Sequence, residues 1–326
     1  MRIKRGRSGR SGQSAAQPAS IVLATLGGLL ALGGCRTPDL PPAQPEILPT
    51  YEQVVERYNQ HLVGLNSLRA TLTVTFTWQN EDGRNTEQSD GQLMIGMPYR
   101  LMLSIDHTFR SGPLFWAGSN QEFYWVFDLR DRERKEVFFG RQAKFTQRRV
   151  GDLDLPMHPR QLPQLLGIVR LAHGPSPNGP KVKWRDGCFV VDLVESDGTN
   201  SRIWIDPKKY HAVRVDILDA KGRSLVTSRL SQPHPVTIEG RPPDGKTKVA
   251  TSVEITRPGR EERLKLRLGP DSLSDGPIED KYFQFEKLKN LFKPHQVHNL
   301  DARVKDNKFS PQSTQVDADN EEQENE

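Results

Sequence analysis

The sequence predicts an α+β protein in which about a dozen antiparallel strands form one large twisted sheet curling toward a barrel, accompanied by two helices. Three observations carry that expectation. Apolar residues recur at every second position in run after run from Leu68 onward, and turn pairs such as Asp186-Gly187, Asp197-Gly198 and Lys221-Gly222 separate consecutive runs closely enough for hairpins. Helical spacing is confined to two stretches. Consecutive hairpins with single-face alternation argue against a parallel, doubly wound sheet.

Ahead of the folded region, Arg2, Lys4, Arg5, Arg7 and Arg10 form a basic segment with no acidic residue before Cys35, and an apolar run follows from Ile21 to Leu32. That run is shorter than the roughly 20 apolar residues that span a bilayer as a helix, and matches an export signal instead. Leu32-Gly33-Gly34-Cys35 resembles the lipobox of bacterial lipoproteins, in which the peptidase cuts before the cysteine and the cysteine receives the lipid. The resemblance implies a signal peptide over 1–34, lipidation of Cys35 and a membrane attachment through that lipid. The other reading is an ordinary secretory signal with a coincidental cysteine. Arg36, rather than an aspartate, resembles the outer-membrane class of lipoproteins, so the expected location is the periplasmic face of the outer membrane.

Once the five basic residues of the signal are removed, 41 basic residues face 41 acidic ones, so the net charge of +5 belongs to the signal. A neutral mature chain has no bulk field for nucleic acid, and no nucleic-acid partner is expected. With Cys35 lipidated, Cys188 has no second cysteine to pair with. A small buried hydrophobe and a reactive thiol are the two readings of Cys188; no His or basic cluster flanks it closely.

Prolines at 38, 41, 42, 45 and 49 make residues 35–49 an extended tether, at about 3.1 Å per residue. The folded domain is expected over 50–293. Thr50 and Gln53 form a capping-box pattern, and Val54, Tyr58, Leu62 and Leu65 then recur on one helical face. From Leu68 the period becomes two: Leu72, Val74, Phe76 and Trp78 share one face while Thr71, Thr73, Thr75 and Thr77 share the other. Pro98 interrupts the returning strand and is expected at an edge or bulge. Short strands follow at 114–116, 123–127 and 136–139. A helix is expected from about Arg160 to Leu171, then a proline-rich loop over 173–180. Strands resume at 182–184, 189–194, 202–205, 212–218 and 224–230. A second proline-rich loop, 233–245, precedes the last two strands at 249–256 and 263–268. The acidic stretch 294–326 lacks apolar periodicity and reads as a disordered tail.

Catalytic patterns are absent: the chain has no Gly-x-Ser-x-Gly elbow, no phosphate-cradling glycine loop and no zinc-type Cys or His cluster. His295 and His298 stand beside Pro294 and read as solvated rather than as metal ligands. Asp192, Asp206 and Asp216 fall on strands and read as wet-face residues rather than acid–base pairs. No enzyme activity, metal or cofactor is expected. Phe115, Trp116, Phe123, Tyr124, Trp125, Phe127, Phe138 and Phe139 alternate poorly, so rings occupy both sheet faces, forming either a packed core or a cavity for acyl chains.

Four stretches carry a family resemblance: the amphipathic helix leading through Leu65-Asn66-Ser67-Leu68-Arg69-Ala70 into a long strand; Gly91-Gln92-Leu93-Met94-Ile95 with Met97-Pro98-Tyr99-Arg100-Leu101; the turn and aromatic strand from Gly118 to Asp128; and Ile203-Trp204-Ile205-Asp206-Pro207-Lys208 with its following hairpin. Together, over roughly Tyr51 to Leu291, they resemble the LolA/LolB-like lipoprotein-localisation superfamily. The resemblance implies an incomplete antiparallel β-barrel with a helical lid, whose concave apolar face takes lipid or lipoprotein acyl chains. Leu72, Val74, Phe76 and Trp78 are the positions expected to line that face. The anchor implies a receptor-like member rather than a shuttle; the alternative is a scaffold or assembly lipoprotein of the outer membrane that binds a protein partner.

Overall fold

A computed structural model describes residues 42–80, 83–107, 112–144, 158–173, 180–194, 200–241 and 245–302. The signal segment, Cys35, the first part of the tether, the centre of the 173–180 loop and the acidic stretch after 302 lie outside the described residues. The domain begins with α1 (Tyr51–Gln60), where Thr50 Oγ1 accepts from the Gln53 N–H at 3.3 Å and Gln53 Oε1 accepts from the Thr50 N–H at 2.9 Å. This reciprocal pair satisfies two helix-start donors, as its spacing predicts. Tyr51, Val54, Val55 and Tyr58 turn inward.

The strands follow as β1 (Ser67–Asn80), β2 (Gly83–Gly96), β3 (Arg100–Asp106), β4 (Pro113–Ser119), β5 (Phe123–Asp128) and β6 (Glu136–Arg141). After the short α2 (Leu162–Leu165) come β7 (Val182–Arg185), β8 (Cys188–Val194), β9 (Asn200–Ile205), β10 (Ala212–Leu218) and β11 (Ser224–Pro235). The chain closes with β12 (Thr237–Ile238), β13 (Lys248–Thr256), β14 (Arg263–Leu268), β15 (Ser274–Asp275), α3 (Phe285–Phe292) and β16 (Gln296–Asn299). Among the described residues, all sixteen strands join one sheet, in the order β16-β6-β5-β4-β3-β2-β1-β14-β13-β11-β10-β9-β8-β7, with β15 attached to β1 and β12 to β15. Pairing is antiparallel except at β16–β6 and β12–β15. The sheet curves without closing, leaving β16 and β7 as its two edges: an incomplete barrel.

Curvature has a visible cause at Gly91, which pairs with Leu72 on one side and Ile105 on the other. A Cβ built there would lie 2.1 Å from the Ser104 carbonyl oxygen, so only glycine lets β3 fold this closely over β2. The concave face carries the main core, in which Leu68, Ala70, Leu72 and Val74 of β1 join Val54, Val55 and Tyr58 of α1, Leu162 and Leu165 of α2, and the inward residues of β8 to β14. A second core lies on the opposite face, where α3 sets Phe285 and Leu288 against Trp125, Phe127 and Val137.

Several expectations change. Pro98 sits in the turn joining β2 to β3, not at a bulge, with Met97–Pro98 in the cis form. The helix expected over 160–171 is one 3₁₀ turn (Pro159–Gln161) and the four residues of α2. It stops because Gly167 takes φ 67°, a left-handed conformation natural to glycine, where a Cβ would meet Leu230 and Ala212 at 2.9 and 3.0 Å. β11 runs on through Pro233, opposite Ala250, into what the sequence marks as a loop. Neither α3 nor β16 is anticipated. β16 adds to the edge of β6, from Gln296 opposite Glu136 to Asn299 opposite Phe139, and so carries the folded domain past the boundary expected at 293/294.

Candidate functional site

On the concave face, β9 and β11 present Ser201 and Ser228 among larger apolar neighbours, and both are fully buried. Their small size makes room for α2, and their hydroxyls hold it: Gln164 Nε2 donates to Ser201 Oγ at 2.8 Å, and Ser228 Oγ donates to the Leu165 carbonyl at 2.7 Å. Past Gly167 the chain runs as an irregular strap, 168–173, between the sheet and α1. Its backbone groups find partners on the helix rather than in a ladder. Tyr58 Oη donates to the Gly167 carbonyl at 2.8 Å, and Asn59 bonds both ways to Leu171, donating to its carbonyl at 2.8 Å and accepting from its N–H at 2.9 Å. Tyr51 Oη donates to the Ala172 carbonyl at 2.9 Å, and Arg170 Nη2 returns to the Leu62 carbonyl at 2.9 Å. Helix and strap thus form one laced lid. Burial pushes the Tyr58 phenol well above its ordinary value, keeping it a neutral donor.

Under the lid a cavity of about 230 Å³ remains, bounded by Tyr51 and Tyr58 of α1, Val169 and Leu171 of the strap, and Leu193, Val194 and Ile203 of β8 and β9. Its wall is mainly apolar, with Gln164 and Arg170 at its margin. Common small-molecule sites occupy about 300–1,000 Å³, so this space suits one short hydrocarbon segment rather than a whole lipid. Among the described residues, much of the rest of the concave face carries buried apolar side chains of the main core.

Leu72, Val74, Phe76 and Trp78 share the concave side of β1. Leu72 and Val74 are buried in the main core, while Phe76 packs against its margin and stacks on Trp78 with ring centroids 5.3 Å apart. None of the four borders the cavity. The aromatic crowd of β4 to β6 splits by face. Phe123, Trp125 and Phe127 meet α3, where Phe285 lies 5.8, 5.5 and 6.1 Å from them, and Tyr124 faces the other way onto His158 at 4.2 Å. The α3 side is packed with rings.

The isolated polar candidates resolve into structural roles. Asp216 is not on a wet face: it is 1% exposed, accepts from Trp204 Nε1 at 2.9 Å and Thr227 Oγ1 at 2.7 Å, and pairs with Arg214 at 2.9 Å. Arg202 and Lys183 hold Asp192 below the usual carboxylate range against the opposing effect of its partial burial. Asp206 accepts from the turn N–H groups of Lys208 and Lys209. Cys188 is half-buried, and burial followed by the nearby Asp206 and Asp186 carboxylates pushes its thiol up, away from reactivity. His298 stacks on Phe138 at 4.6 Å with Nε2 3.3 Å from Glu136. Among the described residues no group of three metal-binding side chains converges.

Sequence reasoning passed over the lacing residues Tyr51, Asn59 and Arg170, and read Tyr58 only as part of the apolar face of α1. The signal for the tyrosines was present: they recur seven apart on the apolar face of α1, and a buried phenol needs a partner for its hydroxyl.

No protein-family model and no curated protein matches the sequence. Among solved structures, the chain is similar to a LolA superfamily protein from Nitrosomonas europaea (12% identity, 73% of this chain and 98% of that one, TM-score 0.45). It is likewise similar to a DUF1329 family protein from Desulfovibrio piger (13% identity, 73% and 97%, TM-score 0.45). A third similar structure is a putative outer membrane lipoprotein-sorting protein domain from Vibrio parahaemolyticus (15% identity, 74% and 97%, TM-score 0.43).

Proposed function

We propose that the protein is a lipid-anchored envelope protein that shelters a lipid or lipoprotein acyl chain beneath the α1–strap lid, at the periplasmic face of the outer membrane. The observation that carries this reading is the apolar cavity left under a lid that is tied down by hydrogen bonds at one margin of an open half-barrel. Each sheltered methylene is worth about 0.8 kcal/mol, so a short segment suffices for useful affinity. Loosening the lid extends the apolar surface along the concave face toward Leu72, Val74, Phe76 and Trp78. The anchor at Cys35 keeps the site beside its membrane, which suits a receiver of chains rather than a shuttle, and the chemistry is non-enzymatic.

The test is binding of a fluorescent fatty acid, with native mass spectrometry of the purified protein. Leu193→Trp, which fills the cavity from a partly buried position, is expected to abolish probe binding while circular dichroism stays unchanged. If native protein carries no lipid, and Leu193→Trp binds the probe as the parent does, the acyl-chain reading fails. A second reading, a scaffold lipoprotein that binds a protein partner, draws support from the side chains filling most of the concave face. That reading predicts no bound lipid and full partner retention in Leu193→Trp.

A further inference from the structure

The geometry points to an anion site where the last turn of α1 meets the turn between β9 and β10, built to take a phosphate group, whether of a soluble phosphate ester or of a lipid headgroup. It shares no lining residue with the cavity beneath the lid, and it does not depend on the acyl-chain reading.

An open depression of about 480 Å³ lies there, lined by Glu56, Arg57, Gln60 and His61 from the helix and its cap and by Lys209 and Tyr210 from the turn. Tyr210 takes φ 56°, a left-handed conformation uncommon for a bulky residue. Its ring meets the Arg57 guanidinium at 4.9 Å and the Phe189 ring at 5.7 Å. Asp206 fixes the turn: its side chain accepts from the Lys208 and Lys209 N–H groups at 2.8 and 2.7 Å, and its carbonyl accepts from the Tyr210 N–H at 2.8 Å. His61 Nε2 donates to the Lys209 carbonyl at 2.5 Å, and the Lys248 N–H donates to the His61 carbonyl at 3.2 Å. Helix, turn and β13 are thereby tied together around the depression. Arg57 presents its planar donor fork from a stacked position, the arrangement that suits a bidentate oxyanion.

Charge selects the ligand. Elsewhere Arg100, Arg130, Arg202 and Arg257 each hold a carboxylate at 2.5–2.7 Å. Among the described residues Arg57, Lys208, Lys209 and Lys248 hold none, and all four are exposed. Against these four cations stand two carboxylates: Glu56 on the wall and Asp206, whose Oδ1 the turn already occupies. The excess of two positive charges complements one phosphate dianion, and exceeds what a single carboxylate offers. The negative end of the α1 dipole accounts for a cation at Arg57, but the lysines come from the β9–β10 turn and from β13. His211 reports on the same field. Its ring meets His61 edge-on at 6.5 Å, and its imidazole is held below the ordinary value by burial and by His61, Lys209 and Lys248, against the opposing effect of Asp206. A phosphate held by Arg57 and Lys209 raises His211 and bridges the end of α1 to the β9–β10 turn.

The test is calorimetric titration of the full-length protein in a non-ionic detergent with inorganic pyrophosphate, with glycerol 3-phosphate, and with phosphatidic acid mixed into the micelles, followed in parallel by NMR of the His211 imidazole. Arg57→Gln is expected to weaken binding about tenfold, as the loss of one charge-assisted hydrogen bond gives, and Lys209→Gln to weaken it as well. Arg57→Lys, which keeps the charge and loses the planar fork, is expected to fall between Arg57→Gln and the parent. The control Lys221→Gln/Arg260→Gln removes two exposed cations from other turns and is expected to bind as the parent does. Binding of all three probes assigns the site to soluble phosphate esters, and binding of phosphatidic acid alone assigns it to a lipid headgroup; either supports the site. No binding of any probe, equal weakening in the control, parental binding by Arg57→Gln, a His211 titration that does not move upward with ligand, or a glutamate oligopeptide that binds more tightly than every phosphate probe overturns the inference.

Discussion

Removing the Asn59 side chain tests whether the lid is held by the bonds that lace it. Asn59→Ala deletes two hydrogen bonds, at 2.8 and 2.9 Å, that satisfy both the carbonyl and the N–H of Leu171, a residue 3% exposed. Each such bond contributes about 0.5–1.5 kcal/mol net, so the pair holds the strap by about 1–3 kcal/mol. That corresponds to a roughly 5- to 150-fold increase in the open population of the lid. The sheet beneath loses nothing directly, since Ser201 and Ser228 still hold α2. Native-state hydrogen exchange reads the outcome: amides at 169–172 are expected to exchange faster by that factor, while those of β9 follow only the global stability. Release of a bound fatty-acid probe accelerates in parallel. Strap amides that exchange no faster than in the parent, or that accelerate only in step with β9, would show that the bonds to Asn59 do not govern the lid.

Two further outcomes follow from the cores and the buried histidine. Phe285→Ala removes the ring at the centre of the α3-side cluster, 5.0 Å from Phe139 and 5.5 Å from Trp125, and should lower stability to urea by about 3–5 kcal/mol while acyl binding on the opposite face persists; a loss below about 1 kcal/mol contradicts the packed assignment. Burial, aided by Arg160, holds the His158 imidazole down at about 3 against an ordinary 6.5, so folding stability is fully present above pH 6.5 and falls as the pH drops from there toward 3, by as much as about 4–5 kcal/mol. Its Nδ1 accepts from the Arg160 N–H at 3.2 Å, a role a glutamine oxygen retains; His158→Gln should therefore flatten urea-measured stability between pH 6.5 and 3, and an unaltered slope refutes the assignment.

The half-barrel was legible in the sequence because its strands alternate cleanly. Leu72, Val74 and their threonine neighbours declare a face by period alone, and Thr50 with Gln53 declares a helix start, since both signals depend on residues close in the chain. α3 was not legible: its partners Trp125, Phe127 and Phe139 lie some 150 residues earlier, and the eight-residue segment Phe285–Phe292 takes its place from that aromatic bed. β16 was hidden for the same reason. Gln296-Val297-His298-Asn299 has no strand-like alternation, and becomes a strand because the β6 edge has backbone groups to pair.

The sequence by itself determined the class of sheet and the start of the lid, each written in local order. Whether the concave face is hollow or filled is a matter of volume, and volume is a sum over side chains remote in sequence. Only the tertiary structure brought α1, α2 and the strap onto β8 to β11, filled most of that face and left the space bounded by Tyr51, Leu193 and Ile203. The alternating face of β1 carries Leu72 and Val74 into the main core, and the space under the lid is bounded by other residues, because Gly167 turns the chain into a strap that covers one margin of the half-barrel.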